Sequence, residues 1–263
     1  MKLKALRGAT LILLSVSLVV AWVGPSACKR RGEAGGRGDA ADVASYQEAR
    51  EKYEEDREPS RLSAEDRRIM QTAAKKLAEK MPAPGLEVGE KAPDFALPNA
   101  MGEEVRLSDR LADGPVVLTF YRGAWCPYCN LELHALQSSL PAFREHGAQL
   151  IAVTPQKPDR SKEQIKEAGY EFEILSDLDS TVAKDYELYF EVPPELNELY
   201  RQKFNLDLAD YNGEGRYELP VPGTFVIDRK GVIRAAFADT DYKRRMEPAD
   251  ILRALKRMDN GSG

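Results

Sequence analysis

The sequence predicts an α/β domain whose central sheet is covered by helices on both faces. Short apolar runs typical of buried strands alternate with helical patterns along residues 88–259. A closely spaced cysteine pair, Cys126 and Cys129, follows one predicted strand and opens the next predicted helix. The chain has 263 residues, more than the about 100–200 residues of a single domain. One folded domain with additional sequence is therefore expected.

The predicted elements follow one another in a regular order. Strands are expected over residues 116–121, 150–154, 173–175, 224–227 and 232–237. Helices are expected over residues 130–145, 161–168, 181–186, 194–203 and 248–258. The segment 187–217 is longer than a minimal fold of this kind requires, and it is interpreted either as a cap over a site or as a packed surface helix with a loop.

The N-terminal residues 1–27 are predicted to be a targeting segment, because a basic start precedes an apolar run shorter than the ~20 residues of a spanning helix. Small residues then precede Cys28, as at a lipoprotein cleavage site, although Pro25 stands where that signal normally carries Leu or Val. Lipid attachment at Cys28 is expected, with cleavage without lipid and an uncleaved anchor as alternatives. Each version places the folded part outside the cytoplasm of a bacterial cell, in the periplasm or cell envelope.

Two further segments precede the domain predicted over residues 85–263. Residues 28–44 are rich in Gly, Arg and Lys without periodicity, which indicates a flexible tether. Residues 45–84 are predicted to be a helical extension, in which Ser63 and Asp66 have the spacing of a helix start. One stripe of this helix is apolar and is expected to lie against the domain; it consists of Ile69, Ala73, Leu77 and Met81.

Composition excludes several classes of function. A net charge of −5 with both signs interspersed gives no basic field for nucleic acid. Three cysteines cannot form a disulfide framework, and two histidines do not complete a zinc site, so no metal is expected. No flavin or nicotinamide fingerprint follows a predicted strand, so no cofactor is expected.

The cysteine pair has the position that redox chemistry requires. The N-terminus of a helix carries unpaired N–H groups and a partial positive charge, which stabilise a thiolate and lower its pKa. Pro127 suits the first helical turn, and the two-residue spacing lets the sulfurs meet within that turn. A static disulfide or two small core residues is the alternative interpretation.

With these motifs the domain resembles the peroxiredoxin and thioredoxin-like superfamily, and most closely its alkyl-hydroperoxide-reductase and bacterioferritin-comigratory group. The matching segments are residues 89–97, 107–109, 116–121, the cysteine pair, 222–228 and 231–234. The resemblance implies a thioredoxin-like, peroxiredoxin-type mixed sheet. It also implies a thiol-dependent peroxidase, in which one cysteine attacks a hydroperoxide, the other forms a disulfide with it, and a thioredoxin-like dithiol restores the pair.

The resemblance leaves the order of the cysteines open. The strand register of peroxiredoxins places the attacking cysteine at Cys129 and the resolving cysteine at Cys126, which is the provisional assignment, whereas the thioredoxin register gives the reverse. Pro222 stands where peroxiredoxins carry a thiolate-stabilising arginine, and it resembles the cis-proline of thioredoxins. Thr224 belongs to the same motif and is expected to support the site.

Other residues are expected to complete the site. Arg122 is a candidate for the missing cation, with a solvated loop arginine as the alternative, and Arg244 or Arg245 folding back is a second candidate. Trp125 and Tyr128 are expected to shield the cysteines. Two other functions stay open: a membrane-tethered thiol-disulfide oxidoreductase acting on proteins, and a non-catalytic binding module.

Overall fold

The computed structural model of the protein describes residues 43–56 and 62–260. The strands are β1 (Ala96–Pro98), β2 (Glu104–Arg106), β3 (Val116–Phe120), β4 (Gln149–Thr154), β5 (Glu173–Ser176), β6 (Tyr189–Glu191), β7 (Glu218–Pro220), β8 (Gly223–Ile227) and β9 (Ile233–Ala238). The helices are α1 (Tyr46–Asp56), α2 (Ala64–Lys80), α3 (Leu107–Asp113), α4 (Pro127–Glu145), α5 (Pro158–Ala168), α6 (Thr181–Asp185), α7 (Pro194–Phe204), α8 (Leu208–Asn212) and α9 (Pro248–Asn260).

Five strands form the central sheet in the order β5-β4-β3-β8-β9. Strands β3, β4 and β5 run parallel, while β8 is antiparallel to β3 and β9 is antiparallel to β8. Parallel neighbours require crossover connections, which α4 and α5 provide. The sheet is therefore mixed and carries helices on both faces, as the sequence predicts.

The middle strand β3 shows why the sheet is buried on both sides. Val117 contributes to the apolar cluster that α4 and α9 line, whereas Leu118 and Phe120 contribute to the cluster that α3 and α6 line. Successive side chains of a strand point to opposite faces. An uninterrupted apolar run such as residues 116–120 is therefore what a strand covered on both faces requires.

Several features differ from the predicted elements, and helices α3 and α8 are among those that were not predicted. Helix α4 begins at Pro127 rather than at residue 130, because a proline at the first helical position lacks only a donor that the first turn leaves unpaired. The antiparallel pairs β1–β2 and β6–β7 are absent from the sequence-based prediction, since strands of three residues are too short to show a period.

The helical extension packs on the domain. The Ser63 hydroxyl accepts from the Asp66 backbone N–H, and the Asp66 carboxylate accepts in return from Ser63, so the predicted helix start is confirmed as a capping box. The predicted stripe of α2 also packs as expected: Ile69 and Ala73 against the cluster of α7 and α8, and Leu77 and Met81 against the sheet.

Helix α1 is fixed to the segment before α9. The Glu247 carboxylate accepts from the backbone N–H of Tyr46 at 3.0 Å and of Gln47 at 2.9 Å, and the Tyr46 hydroxyl donates to the Lys243 carbonyl at 2.6 Å. Of the predicted tether, Val43 packs on the core and the Ala44 N–H donates to Ser139. The rest of the tether, the targeting segment and Cys28 lie outside the described residues.

None of the helices within residues 43–56 and 62–260 combines the length and apolar composition that crossing a bilayer requires.

Candidate active site

The loop from β3 to α4 positions the cysteine pair. Gly123 has a φ of +145°, and a Cβ there would lie 2.5 Å from the Trp125 Nε1 atom, so only glycine fits this close approach. The Ala124 N–H donates to the Gln156 side chain at 2.9 Å, which holds the loop against β4. The loop thus delivers Cys126 to the position immediately before the first turn of α4.

Cys126 is the N-cap residue of α4, and Cys129 is the third residue of the helix, so both occupy its first turn. Both are free thiols. Only 1% of Cys126 and none of Cys129 is exposed. The structure therefore places the predicted pair at the helix N-terminus as expected, yet sealed from solvent.

The environment makes the two sulfurs unequal. A hydrogen bond from the Cys129 thiol lowers the pKa of Cys126 below its usual range, and Arg122 and Arg245 lower it further against the effect of burial. Burial raises the pKa of Cys129 well above its usual range, and the charge on Cys126 adds to this rise. The pKa values of the two thiols are therefore shifted in opposite directions, and that of Cys126 is the lower.

Arg122 is a buried cation beside the pair. It is 5% exposed, its Nη2 donates to the Tyr200 hydroxyl at 2.8 Å, and its guanidinium lies 4.8 Å from the ring centroid of Trp125 and 4.6 Å from that of Tyr242. Aromatic faces attract a guanidinium most strongly where water is excluded. The alternative of a solvated loop arginine is therefore wrong.

Arg245 supplies a second buried cation. Its Nη2 donates to the Cys129 Sγ at 3.5 Å, its Nε donates to the Glu132 carboxylate at 2.6 Å, and its Nη1 donates to backbone carbonyls. Its side chain is 1% exposed. The neighbouring Arg244 instead pairs with Asp239 and is 58% exposed. Of the two candidates in this charge run, Arg245 is the one that folds back.

Glu132 holds the Arg245 guanidinium in a buried ion pair. It lies one helical turn after Cys129 and is 1% exposed, and its Oε1 accepts from the hydroxyl groups of Thr119 and Thr224, each at 3.4 Å. Burial raises the pKa of Glu132 to about 7, although the Arg245 charge opposes this rise. Thr224 therefore belongs to the same cluster of buried polar side chains as Glu132 and Arg245.

Aromatic side chains cover the pair. Tyr128 is 2% exposed, packs edge-on against Tyr53 of α1 and Tyr242, and donates to the Glu54 carboxylate at 3.0 Å. Trp125 is half-buried and lies 6.1 Å from the Tyr200 ring, measured between centroids. Both residues belong to the same apolar cluster as the two cysteines, to which Tyr53 of α1 also contributes.

The interpretation of Pro222 as a cis-proline is wrong. The residue is buried at the start of β8, but its peptide bond is trans, as are all peptide bonds of the described residues. The trans form is also the more stable isomer of an X–Pro bond. The predicted likeness to the cis-proline of thioredoxins therefore does not extend to its geometry.

Sequence reasoning missed three residues of the site. Glu132 carried a signal, because its spacing of three from Cys129 places both on one helix face. Tyr200 lies in the segment 187–217 that was interpreted as a possible cap, but no pattern distinguished it from its neighbours. Tyr242 carried no signal, since the segment before α9 approaches the loop only through the tertiary fold.

Comparison with known proteins decides the family. The profile of the AhpC/TSA family matches residues 88–236, more than half of the chain. The chain belongs to the AhpC/TSA family. Within the match lie the sheet, the cysteine pair, Arg122 and Glu132. Helices α1 and α2 and Arg245 of this AhpC/TSA protein lie outside the match.

The relatives of this AhpC/TSA protein include proteins named for two different activities. The thiol-disulfide oxidoreductase ResA of Geobacillus kaustophilus is 29% identical over 161 residues, which are 61% of this chain and 74% of the relative. The putative peroxiredoxin bcp of Helicobacter pylori is 28% identical over 158 residues, which are 60% of this chain and 91% of the relative.

A solved structure shows the same fold. The crystal structure of the peroxidoxin BcpB from Mycobacterium tuberculosis has a TM-score of 0.52 and 24% identity, and the match covers 66% of this chain and 98% of that chain. The AhpC/TSA protein thus has the thioredoxin fold of peroxiredoxins. Family and relatives together support a thiol-based redox activity.

Proposed function

We propose that the protein is a thiol-dependent peroxidase that reduces hydrogen peroxide or organic hydroperoxides through Cys126 and Cys129. The observation that carries the proposal is the burial of both sulfurs beside the guanidinium groups of Arg122 and Arg245. A small hydroperoxide needs a smaller opening of the cover than a protein does, and the two guanidinium groups favour the thiolate that attacks it. To reduce the disulfide of a folded protein, the enzyme needs an exposed cysteine sulfur, because its thiolate must approach the substrate disulfide along the S–S axis.

Cys126 is the nucleophile in this proposal. Its thiolate attacks the terminal oxygen of the hydroperoxide, the O–O bond breaks, and Cys126 becomes a sulfenic acid while an alkoxide or hydroxide leaves. A proton from solvent converts the leaving group to an alcohol or water. The Arg122 guanidinium stabilises the charge that develops on the leaving oxygen.

Cys129 is the resolving residue. Its sulfur attacks the sulfenic sulfur, water leaves with the thiol proton, and a disulfide closes within the first turn of α4. Arg245 favours the Cys129 thiolate that this step uses, and Glu132 holds Arg245 in place. The strand register alone favours the reverse order of attack, whereas the lowered pKa and the N-cap position of Cys126 favour the order proposed here.

An external thioredoxin-like dithiol then reduces the disulfide by thiol-disulfide exchange. The thiolate of this dithiol must reach the Cys126 sulfur, which is buried in the structure near Tyr128 and Tyr242. Re-reduction therefore includes local opening of this cover. Sulfur carries every step, and the reaction needs no metal or organic cofactor. Attachment through Cys28 would place this activity in the cell envelope.

A second candidate is a thiol-disulfide oxidoreductase that acts on proteins. The likeness to ResA and the low pKa of an N-cap cysteine favour it. It requires the aromatic cover to open before each encounter with a substrate protein.

Stopped-flow oxidation of the reduced protein by hydrogen peroxide and by an organic hydroperoxide separates these candidates. Free cysteine is the reference, and the rate of reduction of insulin disulfides is measured in parallel. Oxidation orders of magnitude faster than that of free cysteine, with slow insulin reduction, supports the peroxidase. Oxidation no faster than that of free cysteine, with rapid insulin reduction, overturns it in favour of the oxidoreductase.

A further inference from the structure

A closed ring of hydrogen bonds brackets the cysteine pair. Ala124 precedes Cys126 by two residues, and its backbone N–H donates to the Gln156 Oε1 at 2.9 Å. Asn130 directly follows Cys129, and its Nδ2 donates to the Ala124 carbonyl at 2.7 Å. The backbone of Ala124 is therefore held on its donor side by a residue that follows β4 and on its acceptor side by α4.

Gln164 of α5 closes this hydrogen-bond ring. The Gln156 Nε2 donates to the Gln164 Oε1 at 3.1 Å, and the Gln164 Nε2 donates to the Asn130 Oδ1 at 2.9 Å. The backbone determines how the side-chain amides are oriented, because an N–H must face an amide oxygen and a carbonyl must face an NH2 group. Each amide of the hydrogen-bond ring thus donates to the next one, and the series begins and ends at Ala124.

The side chains of the hydrogen-bond ring are uncharged, and both glutamines are buried. Gln156 is 0% exposed and Gln164 is 6% exposed. The Gln156 Nε2 also lies 3.1 Å from the Tyr121 hydroxyl and 3.0 Å from the Ser161 hydroxyl, and the Tyr121 hydroxyl donates to the Gln164 Oε1 at 2.7 Å. Burial raises the pKa of Tyr121 well above its usual range, so this donor keeps its proton. The geometry of the hydrogen-bond ring consequently does not change when the thiols titrate.

Stability alone does not account for the hydrogen-bond ring. Burying an amide is unfavourable unless its donors and acceptors are paired, and replacing both partners of a buried hydrogen bond by apolar groups of the same shape is nearly neutral. A fully paired polar network instead favours one conformation of the groups that it joins. Here these groups flank residues 124–130, the segment that contains both sulfurs.

We infer that Asn130, Gln156 and Gln164 are positioning residues that hold the sulfurs of Cys126 and Cys129 in the arrangement required for closing a disulfide. Two groups held in their reacting geometry behave as though each were present at a high effective concentration. The hydrogen-bond ring therefore favours the disulfide over the open dithiol. The inference rests on the proposed function only through disulfide formation within the pair, and it assigns a role at the cysteines to a residue of α5.

The equilibrium between dithiol and disulfide tests this role. The protein is equilibrated with mixtures of reduced and oxidised glutathione, in which two electrons and two thiol protons pass from the pair to oxidised glutathione and yield two molecules of the reduced form. Gln164→Met breaks the hydrogen-bond ring but keeps a side chain of similar length. It should shift the equilibrium toward the dithiol tenfold, which corresponds to about 30 mV. Asn130→Leu should shift it in the same direction, and it replaces Gln164→Met if that variant does not fold.

Gln149→Met is the matched control. It makes the same change at the opposite end of β4, where the Gln149 Nε2 donates to the Arg110 carbonyl at 2.9 Å. Its equilibrium should equal that of the wild type. A merely structural role of the hydrogen-bond ring would lower the unfolding temperatures of Gln164→Met and Asn130→Leu without favouring the dithiol, and that result overturns the inference.

Stopped-flow oxidation of the wild type by hydrogen peroxide separates this inference from the proposed function. A shift toward the dithiol in the variants of the hydrogen-bond ring, with wild-type oxidation no faster than that of free cysteine, would support the positioning role and remove the peroxidase. Fast oxidation of the wild type with an unchanged equilibrium in these variants would overturn the inference alone. A shift toward the disulfide, or an equal shift in Gln149→Met, would also overturn it.

Discussion

The Nε of Arg245 and the Oε2 of Glu132 lie 2.6 Å apart in a buried ion pair, and the same guanidinium reaches the Cys129 sulfur at 3.5 Å. One residue comes from the helix that begins at the cysteines and the other from the segment before α9. Breaking a buried pair by removing one partner is strongly destabilising, because it leaves an uncompensated charge. This contact therefore links the site to the stability of the fold.

The free energy of unfolding should depend on pH through the protonation of the Glu132 carboxyl group. Its folded pKa of about 7 lies above its ordinary value of 4.5, so the folded state binds the proton more tightly than the unfolded chain. This contribution is fully present below pH 4.5 and is lost as the pH rises through about 7. The predicted loss is roughly 3 kcal/mol, since one pKa unit corresponds to about 1.36 kcal/mol.

Urea unfolding of the wild type and of Glu132→Gln at several pH values across this window measures the effect. The variant has no titrating group at this position, so its free energy of unfolding should fall less over the window than that of the wild type. Parallel pH profiles for the two proteins would contradict the raised pKa.

Replacing Cys129 with alanine should raise the pKa of Cys126. The Cys129 thiol donates the hydrogen bond that lowers this pKa most, and alanine has no donor. Iodoacetamide alkylation of Cys126 should therefore reach half of its maximal rate at a higher pH than in the wild type. Cys129→Ser keeps a donor and should show a smaller shift. Equal shifts in both variants would exclude the hydrogen bond as the cause.

Arg122→Met should slow oxidation by hydrogen peroxide about a hundredfold, the size of the loss of one charge-stabilising donor. Methionine is shorter than arginine but keeps an unbranched apolar side chain without the charge. Arg244→Gln is the control, because Arg244 lies in the segment before α9, is largely exposed and pairs with Asp239. Rates are compared by stopped-flow at one pH. Equal losses in the two variants would indicate a general effect of net charge.

Glu247→Ala should loosen α1. The carboxylate accepts from two backbone N–H groups at the start of that helix, and loss of such a cap costs about 1 kcal/mol. Amide hydrogen exchange in residues 46–56 should become faster, while the strands of the central sheet keep their protection. Glu55→Ala, an exposed change on the same helix, is the control. Unchanged exchange in α1 would show that other contacts fix the helix.

The sequence predicted the parts of the fold that are periodic and local. The apolar run at residues 116–120, the stripe of α2 and the capping box at Ser63 each depend on neighbouring positions along the chain. The position of the cysteine pair at the start of α4 follows from the same local signals. These features did not require knowledge of the tertiary contacts.

The remainder of the site depends on contacts between distant segments. Arg244 and Arg245 are adjacent in sequence, and their partners distinguish them: Arg245 pairs with the buried Glu132, whereas Arg244 pairs with Asp239. Tyr200 reaches Arg122 from a helix 78 positions away. The geometry of Pro222 was wrongly predicted because a short motif shared with thioredoxins does not determine the isomer of a peptide bond.

The most direct test of the proposed mechanism is to oxidise Cys129→Ser and Cys126→Ser separately with one equivalent of hydrogen peroxide, in the presence of dimedone, which traps sulfenic acids. Mass spectrometry then locates the adduct. We expect rapid formation of a dimedone adduct on Cys126 in Cys129→Ser and slow reaction in Cys126→Ser. A rapid adduct on Cys129 would reverse the roles of the two cysteines, and reaction no faster than that of free cysteine in either variant and in the wild type would contradict the peroxidase.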